Sequence, residues 1–142
     1  MNNQEAFDLI WDYFVVRKAP FSIVGESGEE VNPLYVKDKD VRCPIGLLIA
    51  EEEYTDDIEG KSIDIVYDEL PSLEGLEQEF LLVVQLSYDT HATDFATGIT
   101  TEKAARTGFK NDLKRKIAKQ FGIEVPKRGR RHGSVKPVRQ SV

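Results

Sequence analysis

The sequence predicts an α-dominated α+β domain followed by a basic tail. Three patterns carry that reading. Phe7, Ile10, Trp11, Phe14 and Val15 recur at the spacing of one helical face. Ala105, Phe109, Leu113, Ile117 and Phe121 recur at strict four-residue intervals. Between them, two short β-prone runs flank the polar turn Asp38-Lys39-Asp40.

The first helix is expected between Gln4 and Lys18, with Asn3 as N-cap and Glu5 and Asp8 at the positive end of its dipole. Pro20 disfavours helical geometry at Ala19 and ends it. Phe21 to Asn32, with Gly25 and Gly28 and no helical period, reads as an extended piece and a solvated loop. Leu34–Lys37 and Val41–Cys43 then read as a hairpin, which is marginal alone in water and must lie against helices. A short helix is expected after Pro44, and a capped turn from Thr55 to Gly60. A third short helical piece spans Ser62 to Leu70 and is closed by Pro71.

Ser72 reads as the cap of a central helix from Leu73 to about Asp89. Its stripe is Leu76, Phe80, Val83, Val84 and Tyr88, widened by Leu73, Leu81 and Leu86, with a loop from His91 to Ile99 behind it. Thr100 or Thr101 caps the last helix, and Gly122 and Pro126 end it. The domain is therefore expected over residues 1–125 and a disordered basic tail over 126–142.

Composition bounds the function. The chain has 142 residues and a net charge of -6, but residues 1–99 hold 6 basic against 22 acidic residues, a net of -16. Residues 100–142 hold 13 basic against 3 acidic, a net of +10. Seven Phe, five Tyr and one Trp supply a modest core and exclude wholesale disorder. No apolar run approaches transmembrane length. The polar, acidic start, Met1 to Asp8, argues against a secretory signal, and the single Cys43 suits a reducing cytoplasm.

Arg42-Cys43-Pro44-Ile45-Gly46-Leu47-Leu48-Ile49, Glu52-Glu53-Tyr54 and Glu59-Gly60, with the aromatic first helix and Tyr35, resemble a family of small uncharacterised bacterial and phage proteins. The resemblance extends over about residues 4 to 122 and is most specific from Arg42 to Gly60. It implies an architecture and names no activity. Many members carry a second Cys that aligns near Pro33, absent here, so the resemblance implies no two-thiol site in this chain.

Candidate chemistry is sparse. Cys43 is the one thiol, and only His91 or His132 is available as its base; a buried structural Cys is the favoured reading. Asp89, His91 and Asp94 supply metal-ligand atoms close together, against the favoured reading of hydrogen bonds near a helix end. Glu51 to Glu59 lacks the calcium-loop pattern and reads as a solvated acidic face. Phosphate-loop, dinucleotide and serine-hydrolase motifs are missing, and no cofactor is called for.

The basic region is the strongest functional signal. Lys110, Lys114, Arg115, Lys119, Lys127, Arg128, Arg130 and Arg131 are the expected contacts with an anionic partner, either an acidic protein surface, a second copy, or nucleic acid. The competing arrangement folds these cations back onto the acidic body. The tail has no aromatic residue, which argues against base stacking. The reading is a non-enzymatic interaction protein; the competing class is a thiol or metal enzyme built on Cys43, Asp89, His91 and Asp94.

Overall fold

The computed structural model describes residues 1–25 and 30–127. The fold is α+β with helix dominant. Helix α1 comprises the α-helical Asn3–Ile10 and a π-helical continuation, Trp11–Val16. Its cap is Asn2, one residue earlier than expected. Asn2 and Glu5 exchange backbone-to-side-chain bonds of 2.9 Å each way, a capping box. Asn3 instead joins Glu77, donating from its side chain and accepting from the Glu77 backbone.

Two small antiparallel ladders follow. Strands β1 (Ile23–Val24) and β2 (Asn32–Pro33) pair Ile23 with Pro33. Strands β3 (Val36–Asp38) and β4 (Val41–Arg42) form the expected hairpin, with a register shift between Val36 and Asp38. The first ladder was not legible as strand, because two residues a side leave no alternation to read. Part of its connection, residues 26–29, lies outside the described residues.

Helix α2 (Pro44–Leu48), 3₁₀ turns at Glu51–Glu53 and Asp56–Ile58, and helix α3 (Ile63–Val66) with a 3₁₀ turn at Tyr67–Glu69 follow, and α2 and α3 both pack against the central helix. The central helix departs from expectation at both ends. Leu73 closes a separate 3₁₀ turn, Pro71–Leu73, and α4 runs from Gln78 to Ala96. The reason at the start is Gly75, whose φ of 94° breaks the helical path. At the far end no breaker precedes Gly98, so the expected loop after His91 continues as helix: Ala92 is buried and Phe95 packs on Phe21 at 5.6 Å. Ser72 caps nothing; its hydroxyl accepts from Ala50 N and donates to Glu53. Leu86, expected in the core stripe, faces outward at 64 % exposure.

The last helix, α5, is continuous from Glu102 to Gln120, with π geometry at Leu113–Ile117. Thr101 is its cap, accepting from Ala104 N at 3.1 Å. The π turn explains the strict four-residue pattern. Four residues of an ideal α-helix overshoot a full turn by about 40°, so such a stripe would wind off the core. A wider π turn winds it back, keeping Ala105, Phe109, Leu113 and Ile117 buried.

Tyr88 is the centre of the core. It is fully buried, touches the rings of Phe14, Phe21 and Phe109 at 5.2 to 5.6 Å, and its hydroxyl accepts from Ser22 N at 2.7 Å. Phe14 also meets Phe109 edge-on at 5.7 Å, while Gln4 exchanges two 2.9 Å bonds with the Glu124 backbone. Helix α5 thus runs antiparallel to α1. Among the described residues no helix is long and apolar enough to cross a membrane.

Candidate functional site

The segment from Arg42 to Gly60 is accounted for by structural contacts. Arg42 is nearly buried; its Nε donates to Lys39 O at 2.9 Å and its Nη1 to Gly46 O at 3.1 Å. Cys43 caps α2, its sulfur accepting from Gly46 N at 3.4 Å and donating to Gln85 Oε1 at 3.2 Å. Glu59 holds the hairpin: its carboxylate accepts from Tyr35 N at 2.7 Å, Val36 N at 3.1 Å and the Tyr54 hydroxyl at 2.7 Å. Glu53 accepts from Ser72 N and Oγ. These polar side chains satisfy backbone groups of the hairpin, of α2 and of the turn at Ser72 that no ladder or helix bond takes up.

The thiol and metal candidates are dispersed. Cys43 is fully buried, and burial pushes its thiol well above the ordinary range, which disfavours the thiolate. Its neighbour Gln85 donates onward to Asp89 at 2.7 Å. Burial raises Asp89 to about 6, against a smaller lowering by Gln85. His91 turns the other way, to α5, where its Nε2 lies 2.9 Å from Asp112 Oδ2. Ser87 donates to the same oxygen at 2.8 Å. Burial would raise Asp112, but the hydrogen bonds from His91 and Ser87 outweigh it and hold its pKa below the usual carboxylate value. Among the described residues no three His, Cys, Asp or Glu side chains converge as a metal site.

The expected basic contacts are differently placed. Lys110, Lys114, Arg115 and Lys119 all stand exposed on α5, and none forms an ion pair with a described residue. From Lys103 to Lys119 this face extends about 24 Å at 1.5 Å per residue. Lys127 is exposed just beyond the helix; Arg128, Arg130 and Arg131 lie outside the described residues.

At its first turns the basic face becomes concave. A groove of about 620 Å³ opens between the end of α1 and the start of α5. Phe14 and Val15 contribute apolar lining, and Lys18, Lys103, Arg106 and Lys110 the positive charge, with Glu102 the one acid. Arg106 is already committed: it donates to Ala19 O at 2.8 Å and Glu102 at 2.7 Å, and lies over the Phe21 ring. Lys18, Lys103 and Lys110 remain without ion pairs among the described residues. Lys18 adopts a left-handed backbone, φ 54°, the one non-glycine residue to do so among those described. It follows the π turn of α1, where Ala19 N closes the helix on Tyr13 O at 3.0 Å.

Lys103 and Arg106 are visible in the sequence as part of the basic face. Lys18 is not, because it lies 85 residues from Lys103 and only packing joins them. Comparison of the chain with protein-family models, with curated proteins and with solved structures yields no match.

Proposed function

We propose that this is a non-enzymatic interaction module, of the bacterial or phage type implied by the sequence resemblance, that docks an anionic partner in the cytoplasm through the basic face of α5 and the tail. One observation supports it above others. The body carries a large acidic excess, yet Lys103, Lys110, Lys114, Arg115 and Lys119 form no ion pair with it among the described residues. The two pairs that α5 makes through its own cations are local, Arg106 with Glu102 and Lys116 with Asp112. An internal neutralisation would have consumed this charge; instead it faces outward as a field that attracts anions and weakens with salt.

An acidic protein surface is the favoured partner over nucleic acid. Phe14 is only 5 % exposed and its ring is engaged by Tyr13, Tyr88 and Phe109, so the groove has no aromatic face to offer a base. The test is recovery of partners by the full chain, by a chain lacking residues 127–142, and by the triple variant Lys114→Glu, Arg115→Glu, Lys119→Glu, with and without nuclease at two salt concentrations. Nuclease-resistant recovery that falls with salt and is lost in the triple variant is expected. Recovery unchanged in both altered chains would overturn the reading, and nuclease-sensitive recovery would transfer it to nucleic acid.

A further inference from the structure

The groove between α1 and α5 has a chemical shape that narrows its occupant. Its lining includes Phe14 and Val15 together with three cations that form no ion pair with a described residue, Lys18, Lys103 and Lys110. Such a site takes an apolar side chain flanked by carboxylates. A bare phosphate would leave the apolar part in contact with water, and a wholly apolar ligand would desolvate lysines without pairing them.

The chain itself carries a convex counterpart. On α3, Ile65 is 59 % exposed, an unusual position for a β-branched residue beside a helix whose other apolar members, Ile63 and Val66, are buried. Asp64, Asp68 and Glu69 stand exposed around it, and none is ion-paired to a described residue. Three acids around one apolar tip match three cations in a partly apolar lining. None of these residues lines the groove of its own chain.

We infer that the groove receives the Ile65 knob of a second copy, so that the protein self-associates head to tail. This rests on the reading of α5 as an anion-docking surface and names the occupant of its concave end. The contact is heterologous: each copy offers one knob and one groove, so assembly does not stop at a dimer unless a ring closes. A contact built from one apolar side chain and a few charges is expected to be weak, concentration-dependent and salt-sensitive.

Two variants of the full chain test it by sedimentation velocity, with circular dichroism to establish that each is folded. One reverses the groove, Lys18→Glu with Lys103→Glu. The other removes the knob, Ile65→Ser with Asp68→Lys. The wild type is expected to form species larger than a dimer as concentration rises, and to lose them with salt. Each variant alone is expected to associate at least about tenfold more weakly. Mixed together they are expected to form a one-to-one pair and nothing larger, because the intact groove of the second accepts the intact knob of the first. A wild type that stays monomeric at every concentration, a variant that assembles as the wild type does, or a mixture that fails to pair would each overturn the inference. A monomeric wild type whose partner recovery still depends on Lys114, Arg115 and Lys119 would sink self-association alone. Loss of that dependence with pairing intact would sink the broader reading alone.

Discussion

Gly46 sits directly beneath the backbone carbonyl of Tyr35, so close that any Cβ would run into that oxygen. The same oxygen accepts from Cys43 N at 3.0 Å, which ties the hairpin to the start of α2. Since the obstacle is backbone, relaxation requires the hairpin to move. Gly46→Ala is expected to destabilise the fold by about 3 kcal/mol, measured by chemical denaturation. A change under about 0.5 kcal/mol would show that the hairpin is free to shift.

Glu59 is expected to be the most sensitive polar residue of the same region. Its carboxylate accepts two backbone N–H groups and one hydroxyl. Glu59→Ala should cost about 3 kcal/mol, and Glu59→Gln about half as much, since the amide oxygen still accepts but carries no charge. Tyr54→Phe removes one of the three bonds and should cost about 1 kcal/mol. Equal losses for all three would mean that the acceptor role is not what holds the hairpin.

Asp89 gives the pH dependence its sign. Burial raises it to about 6 from 3.8, so between those two values the folded state holds a proton that the unfolded chain releases. Stability from this group is present at acid pH and is lost as pH rises through about 6. Asp89→Asn keeps an acceptor for Gln85 and removes the charge. It should stabilise by roughly 2 kcal/mol at neutral pH, a gain that shrinks between pH 6 and 4. A gain independent of pH would exclude the titration of Asp89 as its source.

Asp112 behaves in the opposite sense. His91 and Ser87 on α4 reach across to it and hold its pKa low, so its contribution is present above the ordinary carboxylate value and fades as pH falls through the lowered one. Asp112→Ala should lose about 2 kcal/mol at neutral pH, with a smaller loss in acid, read from denaturation at both.

Lys18 sits where glycine is easier. A left-handed backbone costs a side chain about 1 kcal/mol, so Lys18→Gly should raise stability by about that amount in thermal melts. The same variant removes a groove cation and should weaken self-association. A protein that is both less stable and associates normally would contradict the role given to this residue.

Much of the layout was legible because it is local. The helix ends at Pro20 and Gly122, the caps near Asn3 and Thr101, and the hairpin around Asp38 to Asp40 follow from backbone preferences of a few residues. The four-residue stripe of α5 even contained its π turn, for anyone reading the angular drift. The central helix was misplaced at its start because Leu73 and Leu76 are buried from a turn rather than a helix, and burial alone does not distinguish the two; its far end was placed too early because no breaker precedes Gly98. The ladder at Ile23 and Pro33 was illegible for a different reason. Two paired residues have no periodicity, and their pairing depends on Ser22 and Leu34 exchanging bonds above Tyr88.

The sequence by itself determined that the chain has an acidic body, an α-dominated fold and a cationic last helix, because charge and apolar period are properties of order along the chain. Only the tertiary structure decided that Lys103, Lys110, Lys114, Arg115 and Lys119 of α5 form no ion pair with a described residue, that Cys43 and His91 face different neighbours, and that Lys18 joins Lys103 around one groove. Those relations arise from packing α1 antiparallel to α5 through Phe14 and Phe109, a contact between residues 95 positions apart. No local preference encodes such a contact; it forms when the apolar stripes of both helices meet at Tyr88.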